Sequence, residues 1–222
     1  MRVFQDYRTS LSVVPTALFC LLFAIPAHAS IIYNVSVNTS AISGTPGNLD
    51  FQLDPGFSSQ PATAGISGFS STGGTLGAGI LSGDASGMLP GAVTLNNTTG
   101  FNDLFQSFSY GSAFQFQLVF SGPAITAPNG TASAGSTFIL SLYNSDGSAA
   151  LLTTSPDGSA GSAVINLDGS VSTFVYPSDP NGGRPVVTFT VAPGVPEPSS
   201  LSLMCLPLLA LAGLSLHRKF QY

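Results

Sequence analysis

Apolar and polar residues alternate along much of this chain, in short runs separated by glycine, asparagine, aspartate and proline. Side chains of a strand point to opposite faces in turn, so a two-residue period places every second residue on one face. Residues 31–37 open the series, alternating from Tyr33. Residues 48–53 set Leu49, Phe51 and Leu53 on one face and Asn48, Asp50 and Gln52 on the other, and Asp54-Pro55-Gly56 then turns the chain. From 62 to 82 the sequence is mostly Ala, Gly, Ser and Thr, with Ile66, Phe69, Leu76, Ile80 and Leu81 spaced among them. That pattern predicts thin strands of weakly specified register. Another strand is predicted over 87–95, followed by a polar turn at 96–100.

Residues 101–110 fit two periods. Phe101, Leu104, Phe105 and Phe108 share a helical face, while Phe-Gln-Ser-Phe-Ser-Tyr suits an aromatic strand. The clearest strand is 113–120, with Phe114, Phe116 and Leu118 inward and Gln115 and Gln117 outward. Its continuous end, Leu118-Val119-Phe120, predicts a central strand buried on both sides. Further strands are predicted at 136–143, 151–152, 163–167, 171–176 and 186–191. Asp168-Gly169 reads as a two-residue hairpin turn between two of them. Many short strands with turn residues between them predict an all-β fold, an antiparallel β-sandwich of jelly-roll-like form.

Both ends break this pattern. Arg2 and Arg8 flank Asp6 in a polar leader, an apolar run covers 13–25, and Pro26-Ala27-His28-Ala29 follows. Ala27 and Ala29 form the small-residue pattern of a signal-peptidase site, which predicts a signal peptide at 1–29 cleaved after Ala29. An uncleaved anchor fits less well, because the run is short. At the other end, Pro196-Glu197-Pro198 is extended, since its prolines fix φ and withhold amide donors. An apolar segment at 201–216 then reads as a single helix of roughly 24 Å, against the ~30 Å of a hydrocarbon core. Pro207 and Gly213 weaken it as a permanent helix. Arg218 and Lys219 form a basic stop, expected on the cytoplasmic side. The chain thus divides into a leader at 1–29, a β-sandwich at 30–193 and a tail at 194–222.

The order of the tail, Pro196-Glu197-Pro198, apolar helix, then Arg218 and Lys219, resembles the PEP-CTERM sorting signal of Gram-negative bacteria. The resemblance implies that an integral-membrane exosortase recognises Pro196, Glu197 and Pro198 and cleaves near them. It implies an inner-membrane-anchored precursor whose cargo reaches the cell surface or extracellular matrix. An ordinary C-terminal anchor after a proline-rich linker is the alternative. The body also resembles a set of small PEP-CTERM cargo proteins, through Leu49-Asp50-Phe51-Gln52-Leu53-Asp54-Pro55-Gly56 and its Gly-Thr-Leu, Phe-Gln-Phe and Ser-Thr-Phe-x-Leu-Ser-Leu-Tyr segments. That likeness implies a common fold and nothing more.

Composition removes much chemistry from the body. Residues 30–193 hold no His, Cys, Lys, Glu or Trp, one basic side chain (Arg184) and eight aspartates, a net charge of −7. Without His or Cys there is no Ser-His-Asp triad, thiol nucleophile or zinc site of the usual kind. Without Lys there is neither a Schiff base nor a complete P-loop. One Arg cannot neutralise a nucleic-acid backbone. Disulfides are absent too, so the fold depends on burial and strand pairing.

Six of the aspartates stand in turn sequences: Asp54, Asp84, Asp146, Asp157, Asp168 and Asp179. Asp50 lies inside a strand, and Asp103 follows Asn102. Calcium takes oxygen ligands, which makes Asp50, Asp54 and Asp103 the candidate Ca²⁺ ligands; no other cofactor is expected. Tyr33, Tyr110, Tyr143 and Tyr176 are candidates for stacking on sugar rings, or for packing in the core. The expected function is a non-enzymatic structural or adhesive role in the cell envelope or exopolysaccharide matrix. A carbohydrate-binding module, with or without Ca²⁺, is the alternative. An Asp-dependent glycan hydrolase is the third reading, and it needs two carboxyls within about 10 Å in a cleft.

Overall fold

The alternating segments pair as strands. In the computed structural model, which describes residues 30–192, they are β1 (Ile31–Asn38), β2 (Pro46–Asp54), β3 (Thr63–Thr72), β4 (Thr75–Ser82), β5 (Ala85–Gly87), β6 (Val93–Asn96), β7 (Asp103–Ser109), β8 (Ala113–Ser121), β9 (Thr137–Asn144), β10 (Ser159–Ile165), β11 (Val171–Val175) and β12 (Val187–Val191). Among the described residues helix is confined to a 3-10 turn at Ser40–Ile42 and one α turn, α1 (Pro123–Thr126). The leader residues Ala27 and Ala29, the tail motif Pro196-Glu197-Pro198, the apolar segment 201–216 and Arg218 with Lys219 lie outside the described residues. Among those described, no helix is long and apolar enough to cross a membrane.

Two six-stranded antiparallel sheets result. The first has the order β12-β1-β8-β3-β6-β5, the second β11-β10-β9-β2-β7-β4. Pairing is nested: β1 with β8, β2 with β7 and β3 with β6. The chain from β1 to β8 is therefore one long antiparallel ribbon folded across both sheets.

Alternation determines which face is buried. Tyr33, Val35 and Val37 of β1, Phe114, Phe116, Leu118 and Phe120 of β8, Leu49, Phe51 and Leu53 of β2, and Phe138, Leu140 and Leu142 of β9 all enter one core. Rings meet across the sheets edge to face, Phe51 on Phe116 at 5.3 Å and Phe120 on Phe138 at 6.1 Å. Each such side chain contributes on the order of 1.5–3 kcal/mol by leaving water. In β3 the register against β8 shifts by one residue between Ser67 and Ser70, a bulge with Gly68 at φ 62°. The bulge turns Phe69 inward, where it stacks on Phe114 at 5.6 Å.

Several expectations change. Residues 101–110 contain the strand β7, so the aromatic-strand alternative holds and the helical one does not. The single strand expected over 87–95 is two, β5 and β6, with a turn between them. Pro90 has no amide to give a ladder, and Gly87 leaves the extended region at φ 87°. Residues 151–152 form no strand: Ala150 makes one bridge to Tyr143, and Leu152 has φ 55°. The 166–170 hairpin turns on three residues instead of two. Asn166 N–H donates to the Ser170 carbonyl, Gly169 N–H donates to the Asn166 carbonyl, and Gly169 takes φ 83°. β8 is central in the first sheet as expected, but Val119 is half-buried.

Candidate functional site

The outer face of the second sheet carries three aspartates that sequence alone places in separate segments. On β2 the side chains opposite Leu49, Phe51 and Leu53 are Asn48, Asp50, Gln52 and Asp54. Strand pairing sets Gln52 directly across from Asp103 of β7, and Asp50 across from Phe105. Asp103 therefore lies diagonally to both Asp50 and Asp54, roughly 7–8 Å away between Cα atoms. On the other side β9 places Ser141 beside Asp50 and Thr137 beside Asp54. The structure thus brings the three candidate ligands together on one face.

These carboxyls are poorly satisfied. Asp50 is 4% exposed and Asp103 5%, and Asp54 is half-buried. Gln52 Nε2 donates to Asp50 Oδ2 at 2.5 Å, while Oδ1 of Asp50, Asp54 and Asp103 is in each case buried without a partner among the described residues. Burial pushes Asp50 up to about 7, against the opposing Gln52 hydrogen bond and with help from the charges of Asp103 and Asp54. Burial, then the charge of Asp103, also raises Asp54. The rings of Phe105 and Tyr143 approach to 6.0 Å beside Asp50, and Tyr143 is half-buried.

At about 7, Asp50 is set to hold and release a proton near neutrality. The all-oxygen donor set of the three aspartates is of the calcium type. Among the described residues no group of three or more His, Cys, Asp or Glu is placed so that it could hold a metal. The carboxyl pairing a glycan hydrolase needs is approached, but on a sheet face, and the larger grooves described below are lined by other residues.

The remaining aspartates shape turns. Asp146 accepts from Ser148 N–H and Oγ, Asp157 from Ser159 N–H and Oγ, Asp168 from Ser170 N–H and Oγ, and Asp179 from Asn181 N–H. Asp84 accepts from Thr98 Oγ1 and Asn96 Nδ2. These bonds hold Asp84, Asp146 and Asp168 below the usual carboxylate range, and the Ser155 hydroxyl, ahead of Ser159, does the same for Asp157. Asp54 differs from the turn expectation, for it closes β2.

The tyrosines divide. Tyr33 and Tyr110 are core residues, and Tyr110 Oη donates to the carbonyls of Asn48 and Tyr143. Tyr143 and Tyr176 are half-buried. The exposed rings are instead Phe57, Phe101 and Phe174. Phe57, 78% exposed, borders a groove of about 540 Å³ with Asn97, Thr98 and Thr99, and sequence reading took both loops only as turns. A second groove, of about 390 Å³, crosses the outer face of the first sheet between Asn34, Ser36, Gln115 and Gln117.

Compared with family models, curated proteins and solved structures, the chain matches none of them.

Proposed function

We propose that this chain is an exported, exosortase-processed PEP-CTERM protein with a non-enzymatic structural or adhesive role in the cell envelope or exopolysaccharide matrix. The described residues form a jelly-roll-like β-sandwich in this reading, supported by the nested pairing of β1 with β8, β2 with β7 and β3 with β6. Signal peptidase removes the leader at Ala27-His28-Ala29. Exosortase reads Pro196, Glu197 and Pro198, and the segment 201–216 with Arg218 and Lys219 holds the precursor in the inner membrane.

The observation that carries the role is the form of the surface. Its larger grooves are open and lined by hydroxyls, amides and glycine, as between Asn34 and Gln117 or between Phe57 and Thr99. Such surfaces suit extended contact with a hydrated polymer. A carbohydrate-binding module is the second reading, favoured by Phe57 standing exposed beside Asn97 and Thr98.

Intact mass of the protein from culture medium and from envelope, with and without Glu197→Ala, tests the reading. A species beginning at Ser30 and ending near Pro198, lost in the variant, is expected. An unprocessed C-terminus in both proteins would make the tail a plain anchor.

A further inference from the structure

The two sheets differ in charge. Every strand of the first sheet lacks Asp, Glu, Lys and Arg, whereas Asp50, Asp54 and Asp103 all lie on the second. Register turns the outward side chains of the first sheet into rows across its strands. One row reads Thr190, Asn34, Gln117, Ser67 from β12 through β1 and β8 to β3. The next reads Thr188, Ser36, Gln115, Ser70.

Elsewhere in the fold amides are committed: Asn48, Asn97, Asn102 and Gln106 all donate to carbonyls of the protein. Among the described residues, the side chains of these two rows have no such partners. Each free amide offers two donors and an acceptor, the pairing that a sugar hydroxyl, itself donor and acceptor, can meet. Neighbouring strands are about 4.8 Å apart, close to the advance of one pyranose ring along an extended chain, so a row of four spans about 14 Å. The bulge keeps the groove open, because at Gly68 no side chain stands and a Cβ there would meet nothing within 4 Å.

We propose that this face is a binding platform for an uncharged polysaccharide laid across the strands, its hydroxyls met by Asn34, Gln115 and Gln117. The proposal rests on the matrix role above and names its ligand class. An anionic polymer is the poorer ligand, since the body carries −7 and offers only Arg184.

The test is affinity electrophoresis of the protein expressed from its full reading frame, in gels holding dextran, hydroxyethylcellulose or galactomannan, with alginate as the anionic contrast. At least one neutral polymer should retard it. Gln115→Ala with Gln117→Ala should weaken that association about tenfold or more, as two lost hydrogen bonds imply, with an unchanged melting temperature. Thr173→Ala, on β11 of the other sheet, should bind as the parent does. Should the double variant melt early, Gln117→Glu, which keeps the size and removes the donors, must weaken binding instead. Retardation by no neutral polymer, by alginate alone, or equally in the parent and a well-folded variant overturns the proposal. A protein still processed at its tail and recovered with the matrix would then retain the role and lose only this binding face.

Discussion

Asp103 stands directly opposite Gln52 across the β2–β7 ladder, so its carboxyl falls between those of Asp50 and Asp54 on one face. The Gln52 amide donates to Asp50 alone, and Oδ1 of each of the three acids is buried without a partner among the described residues. Burial raises the cost of ionising Asp50 and Asp54, and the neighbouring carboxylate charges raise it further.

Stability should therefore fall as pH rises through neutrality. Asp50 is held at about 7 in the native state, whereas the unfolded chain releases that proton near 4. The stabilisation is complete below the unfolded value and is lost as pH rises through about 7. Thermal melts from about pH 5 to pH 8 should show a declining Tm, and Asp50→Asn should flatten the decline. At the upper end the variant should be the more stable, by at most about 4 kcal/mol. Identical profiles for the two proteins would refute this. Asp146 and Asp168 act in the opposite window, since their lowered values give stability that is lost only as pH falls below the ordinary carboxylate range.

Calcium should have little effect. Since the three carboxyls do not form a metal-holding group as placed, millimolar Ca²⁺ is expected to leave the Tm unchanged at pH 8. A saturable rise, abolished by Asp103→Asn, would instead show that the face closes on an ion.

Asn97 should prove structural. Its side-chain oxygen accepts from Ala62 N–H, and its amide donates to the Gln60 carbonyl and Ser136 Oγ, joining three loops at one end of the sheets. Asn97→Ala orphans these buried groups, and denaturant unfolding should show a loss on the order of 1–3 kcal/mol. A loss below a few tenths would mean the loops hold without it.

The outer edge of β11 should be adhesive. Val171–Val175 has no charge and no proline, its outer edge has no strand partner among the described residues, and Phe174 is 50% exposed. Sedimentation velocity should reveal concentration-dependent self-association that Phe174→Lys suppresses. A parent protein that stays monomeric at high concentration would contradict it.

Much of the sheet scaffold was legible because bulky residues at a strict period of two, as in β2 and β8, leave one face to bury. Where side chains thin out, backbone decides: Gly87 and Pro90 split a predicted strand, and Leu152 takes a positive φ within another. The acidic face was half legible. Alternation set Asp50 on the polar face of its strand, but Asp54 read as part of the turn that follows, and Asp103 joins them only through pairing of β2 with β7, about 50 residues apart in sequence, since long-range register leaves no local mark. The buried role of Asn97 was hidden in the same way, since Asn96-Asn97-Thr98-Thr99-Gly100 has the composition of any surface turn.

The pairing of β1 with β12 also has a mechanical meaning. Ala192 N–H donates to the Ile32 carbonyl, so the strands at the two ends of the described residues begin and finish side by side. Tension drawn between those ends loads the ladder one hydrogen bond at a time, like a zip, and β12 peels away at low force. Tension drawn from one end against a grip spread across β1, β8 and β3 loads many bonds together in shear. The same domain is thus weak when pulled by its ends and strong when held by its face.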